Sequence, residues 1–75
     1  MTIVEAVQTV LKEAGRPMST QEIYDEILKQ GLYTFNAKNP KGVMSQAIRE
    51  RSDAKTNPKV LMFKAIGQGT YALID

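Results

Sequence analysis

Apolar residues near the start of the chain recur at three- and four-residue spacing: Ile3, Ala6, Val7, Val10, Leu11 and Ala14. That is the period of a helix with one buried stripe. Thr2 and Glu5 form a capping box at its start, the hydroxyl accepting from the Glu5 N–H while the carboxylate reaches back. Gly15 supplies a left-handed stop. Glu5, Gln8, Thr9, Lys12 and Glu13 face water, so this helix reads as scaffold. The pattern then repeats. Ser19 and Glu22 make a second capping box, Ile23, Tyr24, Ile27 and Leu28 point inward, and Gly31 ends the helix. In the connector between the two, Pro17 biases Arg16 toward extended backbone, and Met18 can add one short strand.

A third amphipathic segment covers residues 39–51. Asn39 suits the cap and Pro40 the first helical position, where no N–H is needed. At about 100° per residue, Val43, Met44, Ala47 and Ile48 fall on one side and Ser45, Gln46, Arg49 and Ser52 on the other, with Lys41 near its edge. Arg51 projects toward the core side at the helix end, as a cap or packing residue. Leu32, Tyr33 and Phe35 make the preceding connector too apolar for an idle loop. They are expected to pack over the seam between the second and third helices; the alternative is an exposed contact patch. Residues 52–59 are polar and turn-rich. Residues 60–66 and 70–74 are strand candidates joined by a tight turn at Gly67-Gln68-Gly69, with Phe63, Ile66, Tyr71 and Leu73 covering the helices. Three helices followed by a terminal hairpin predict an α+β fold, a winged helix-turn-helix in which the hairpin is the wing.

Composition narrows this further. The 75 residues suffice for one domain, 1–75, with a modest core. There is no cysteine to staple it, so stability rests on packing. No apolar run approaches the roughly 18 residues of a membrane span, and no basic lead precedes the first apolar residues as in a secretory signal. An intracellular protein is expected: cytoplasmic or nucleoid-associated in a bacterium, nuclear in a eukaryote. The net charge of +2 is unevenly spread. Residues 1–37 hold three basic and five acidic side chains, a balance of −2, whereas residues 38–75 hold seven basic and three acidic ones, a balance of +4. The basic half begins where the third helix begins, which points toward a polyanionic partner.

Catalysis finds little support. The chain has no histidine and no cysteine, the commonest general base and the commonest transition-metal ligands. Its carboxylates are scattered over helix surfaces, and neither Ser19 nor Ser45 has an activating base at recognisable spacing. Gly67-Gln68-Gly69 is not a phosphate loop, because no Gly-Lys-Ser/Thr follows. No enzyme activity, cofactor or metal is expected, and a binding module remains.

The chain resembles the HARE-HTH family, predicted winged helices of Asx-like chromatin proteins, restriction endonucleases and the delta subunit of bacterial RNA polymerase. The matching stretches are Ile3-Val-Glu-Ala-Val7, Leu11-Lys-Glu-Ala-Gly-Arg-Pro-Met-Ser19, Glu22-Ile23, Gly31-Leu-Tyr-Thr-Phe-Asn-Ala-Lys-Asn-Pro40, Ile48-Arg49, and Phe63 with Gly67-Gln-Gly-Thr-Tyr-Ala-Leu73. They run through nearly the whole chain in order. The resemblance implies a module that binds DNA and brings it to attached effector domains in transcription, chromatin or restriction-modification. It also implies, through the delta-subunit members, that the same fold can serve a polymerase by contacting protein.

Two readings follow. In the first, a monomeric domain docks on duplex DNA. Gln46 and Arg49 reach base edges in the major groove, Gln toward adenine and Arg toward guanine. Ser45 bonds a base or a phosphate. Lys38 and Lys41 hold phosphates at the helix N-terminus, aided by its free N–H groups, and Lys55, Lys59 and Lys64 hold the backbone around the wing. In the second, RNA polymerase or another protein is the partner, met by the acidic outer face of the second helix (Gln21, Glu22, Asp25, Glu26, Lys29) or by Tyr33 and Phe35.

Overall fold

A computed structural model describes residues 1–52, 61–67 and 69–74. Three helices, α1 (Ile3–Ala14), α2 (Thr20–Gln30) and α3 (Pro40–Glu50), are accompanied by three short strands, β1 (Met18–Ser19), β2 (Phe63–Ala65) and β3 (Thr70–Leu73). The architecture is that of a winged helix-turn-helix, with β2 and β3 as the wing.

Both expected capping boxes are present. The Thr2 hydroxyl accepts from the Glu5 N–H at 3.1 Å while the Glu5 carboxylate takes the Thr2 N–H at 2.8 Å. Ser19 and Glu22 repeat this at 3.2 and 3.0 Å. The backbone bond from Thr2 holds the Glu5 carboxyl below its usual range. The bond from Ser19, with the Arg16 guanidinium beside it, does the same for Glu22. Gly15 and Gly31 close their helices at positive φ, where a Cβ would be strained.

The helices pack against one another, and β3 against α1. Their inward faces supply Ala6, Val7, Val10, Leu11, Ile23, Ile27, Met44 and Ile48 to one core, closed by Met18, Phe63 and Tyr71 from the sheet. The sheet order is β1-β3-β2, antiparallel throughout. Met18 lies opposite Tyr71 and Phe63 opposite Leu73, so the stub between the first two helices anchors the returning wing strand. The base of the wing is tied to the end of α3: the N–H groups of Met62 and Phe63 both donate to the Arg51 carbonyl.

Four side chains depart from the expected pattern. Val43 and Leu28, expected inside, are 48% and 50% exposed. Each sits at the flank of its helix's apolar stripe, beyond the arc its neighbours cover. Ile66 is 41% exposed. Inward positions alternate from Phe63 to Ala65, so Ile66 falls on the other parity. Ser52, expected on the polar face, is fully buried. The helix stops at Glu50, so its period no longer governs Ser52, which bridges Phe63 and donates its hydroxyl to the Arg49 carbonyl at 2.9 Å. The first wing strand is also shorter than expected. Its expected start, the polar loop before it, Lys55, Lys59 and Gln68 at the turn lie outside the described residues.

At the start of α3 the Asn39 side chain accepts the Gly42 N–H at 3.2 Å. A Cβ added at Gly42 would lie 2.5 Å from Asn39 Nδ2. Cap and glycine are therefore one device, and a double-mutant cycle should read their coupling. Asn39→Ala is expected to cost about 1 kcal/mol. Gly42→Ala in the native background should be close to neutral, because displacing the cap offsets the gain in helix propensity. In the Asn39→Ala background the same change should stabilise by about 1 kcal/mol. Urea denaturation of the four proteins measures this, and strict additivity would disprove the coupling.

Candidate nucleic-acid interface

The outward arc of α3 follows from which residues it must bury. Met44 and Ile48 are fully buried, and Arg51, half-buried at the C-cap, turns its guanidinium back to the Ala47 carbonyl at 3.3 Å, as expected of a cap rather than a reader. The opposite side is left with Val43, Gln46, Arg49 and Glu50, all exposed. By helical periodicity, Val43 and Glu50 lie on one flank, Gln46 at the centre and Arg49 on the other flank of an arc about 120° wide. Ser45 is half-buried and sits toward the core side of Arg49.

The other described cations lie near the two ends of α3. Lys38 is exposed just before the cap, and Lys41 is exposed in the first turn. Lys41 is not idle: its ammonium donates to Gln21 Oε1 at 2.7 Å and so ties α3 to α2. An ammonium has three donors, so two remain for an anion. The contribution of the helix N-terminus is smaller than expected. Pro40 has no N–H and the Gly42 N–H is taken by Asn39, which leaves at most the Lys41 N–H. At the other end, Lys64 points away from the core between inward Phe63 and Ala65, one residue from the tie that joins the wing to α3. Lys41 and Arg49 are eight residues apart, an axial rise of about 12 Å. This is comparable to the width of the B-DNA major groove, about 12 Å. Among the described residues, no carboxylate pairs with Lys38, Lys41, Arg49 or Lys64; the ion pair there is Arg16–Glu22 at 3.4 Å.

Two features of the face were not expected. Gln46 donates to Glu50 Oε1 at 3.1 Å. This orients the amide, leaving its carbonyl and second N–H for a ligand, but it sets a carboxylate beside the reading surface. Val43, assigned to the core from its period, joins the face instead. The signal that could have placed it is its position at the fourth helical residue, where an apolar side chain packs when the residue before the cap is also apolar. Here that residue is Lys38.

The acidic face of α2 is largely self-satisfied. Gln21 bonds Asp25 and Gln30 bonds Glu26, each at 2.8 Å, and Glu22 serves the Ser19 cap and Arg16. Tyr33 and Phe35 are half-buried against the core, Phe35 lying 5.2 Å from Tyr24 and 4.9 Å from Tyr33 between ring centroids. They pack beside Tyr24 of α2 and against the core. No group of metal-ligating side chains occurs among the described residues, and no helix there is long and apolar enough to cross a membrane.

A protein-family model for HARE-HTH, described as an ASXL, restriction endonuclease HTH domain, matches residues 1–74. No curated protein and no solved structure matches the chain.

Proposed function

The chain belongs to the HARE-HTH family of helix-turn-helix domains, and from that premise we propose that it is a non-catalytic module that docks α3 in the major groove of duplex DNA and lays its wing along the flanking backbone. The observation that carries this reading is the set of exposed cations unpaired with any described carboxylate: Arg49 on the outward arc of α3, Lys38 and Lys41 at its start, and Lys64 on the wing. Arg49 and Gln46 read base edges, Arg49 at guanine and Gln46 at adenine. Ser45, half-buried, contributes a bond to a phosphate from the edge of the face. Lys38, Lys41 and Lys64 hold phosphates, with Lys55 and Lys59 assigned the same task.

A single domain with so few contacts binds weakly, with a Kd of about 10⁻⁴ to 10⁻⁶ M at physiological salt. A duplex titration at low salt, followed by NMR, tests the reading. The amide signals of Lys41, Gln46, Arg49 and Lys64 should shift, and Arg49→Ala should weaken binding by about 1–3 kcal/mol. Joint charge reversal at Asp25 and Glu26, which spares the capping carboxylate of Glu22, should leave DNA binding intact, whereas loss of a protein partner on that reversal would favour a protein-interaction role. Unmoved α3 signals would overturn the proposal.

A further inference from the structure

The exposed large apolar side chains among the described residues are Met1, Leu28, Val43, Leu61, Ile66 and Ile74. Val43 lies on the arc of α3 assigned to the major groove. It is in the first half of α3, the part of a recognition helix that meets base edges. Its exposure has no local structural use. With Lys38 before the cap there is no apolar partner for a staple, and valine is a poorer helix former than most surface residues. Its β-branch confines the side chain to essentially one rotamer in a helix, so its methyl groups are presented in a fixed direction. Gln46, three residues on, is its neighbour on the helix surface, with Cβ atoms about 5–6 Å apart.

We propose that Val43 is a specificity-determining residue that packs on the C5-methyl group of thymine, beside an adenine held by Gln46. The methyl group is the one apolar feature that base pairs display in the major groove, and adenine N6 and N7 match a glutamine amide. Together the two side chains select an A·T-containing step. Arg49, on the far flank, reads outside that step.

This inference rests on the proposed DNA docking, and its test separates the two. Binding of the full chain is compared, at low salt, for an alternating dA·dT duplex and the same duplex with every thymine replaced by deoxyuridine, which lacks only the methyl group. The wild type should prefer the thymine duplex by about fourfold, the worth of one buried methyl group. In Val43→Ala the ratio should fall toward one, with the circular dichroism spectrum unchanged. Equal wild-type binding to the two duplexes overturns the role of Val43 while leaving DNA docking intact. A preference that survives in Val43→Ala reports duplex shape and also overturns it. Failure to bind these two duplexes and also a mixed-sequence duplex that contains guanine overturns the docking reading itself.

Discussion

Truncating Phe63 to alanine is expected to destabilise the domain by about 3–5 kcal/mol. Phe63 is fully buried and joins three parts of the fold. It pairs with Leu73 in the wing, it bridges Ser52, and its N–H is held by the Arg51 carbonyl at the end of α3. No residue from the helices can fill the space its ring leaves, because Ile23, Ile27, Met44 and Ile48 are already packed without exposure. A domain of this size has a total stability of only about 4–11 kcal/mol, so the loss removes a large share of it. The melting temperature should drop by about 12–40 °C. Ile66→Ala is the matched control on the same hairpin. Its side chain is partly solvated, so the change should cost under about 1 kcal/mol. Thermal and urea unfolding of both variants decide the matter. A Phe63→Ala loss below about 1 kcal/mol, or a loss at Ile66 equal to that at Phe63, would refute the inward parity of the wing.

The contrast between those two residues shows where the sequence was legible. The helix starts, and the stops of α1 and α2, were readable because their chemistry is local: Thr2 with Glu5, Ser19 with Glu22, Asn39 as a cap, and Gly15 and Gly31 at positive φ. The core stripes were readable at their centres, since Ile23, Ile27, Met44 and Ile48 must face inward whatever covers them. The flanks were not. Val43 and Leu28 lie at angles that a wider partner would bury and a narrower one leaves open, and the width of coverage depends on how all three helices meet. Ile66 could not be placed before the strand start was known, because a shift of one residue exchanges the faces of a strand. Ser52 needed the point where the helix ends. Of the candidate site, what the sequence made legible is the exposure of Lys38, Lys41, Gln46, Arg49 and Lys64. What sequence could not supply was the company these residues keep: Gln21 on Lys41, Glu50 on Gln46, and Val43 among them.

The second large effect is electrostatic. Raising salt from about 50 to 200 mM should weaken duplex binding steeply, because each phosphate neutralised by a lysine releases condensed counterions. If Lys38, Lys41 and Lys64 each neutralise one phosphate, the slope of log affinity against log salt is about −2.7, and the fourfold rise in salt costs about 40-fold in affinity. If Lys55 and Lys59 each add another, the slope approaches about −4.5 and the loss is about 500-fold. Fluorescence anisotropy across that range reads the number directly. Lys64→Ala should lower the slope by about 0.9 with little dependence on DNA sequence. Arg49→Ala, which removes a base reader, should act more on sequence preference than on slope. Lys41→Ala has a second consequence, since it also releases Gln21 from α3. Its slope change should match that of Lys64→Ala, while its intercept falls further if the tie to α2 helps to hold the face in place. A flat salt dependence would remove the phosphate contacts, and with them the role proposed for Lys38, Lys41 and Lys64.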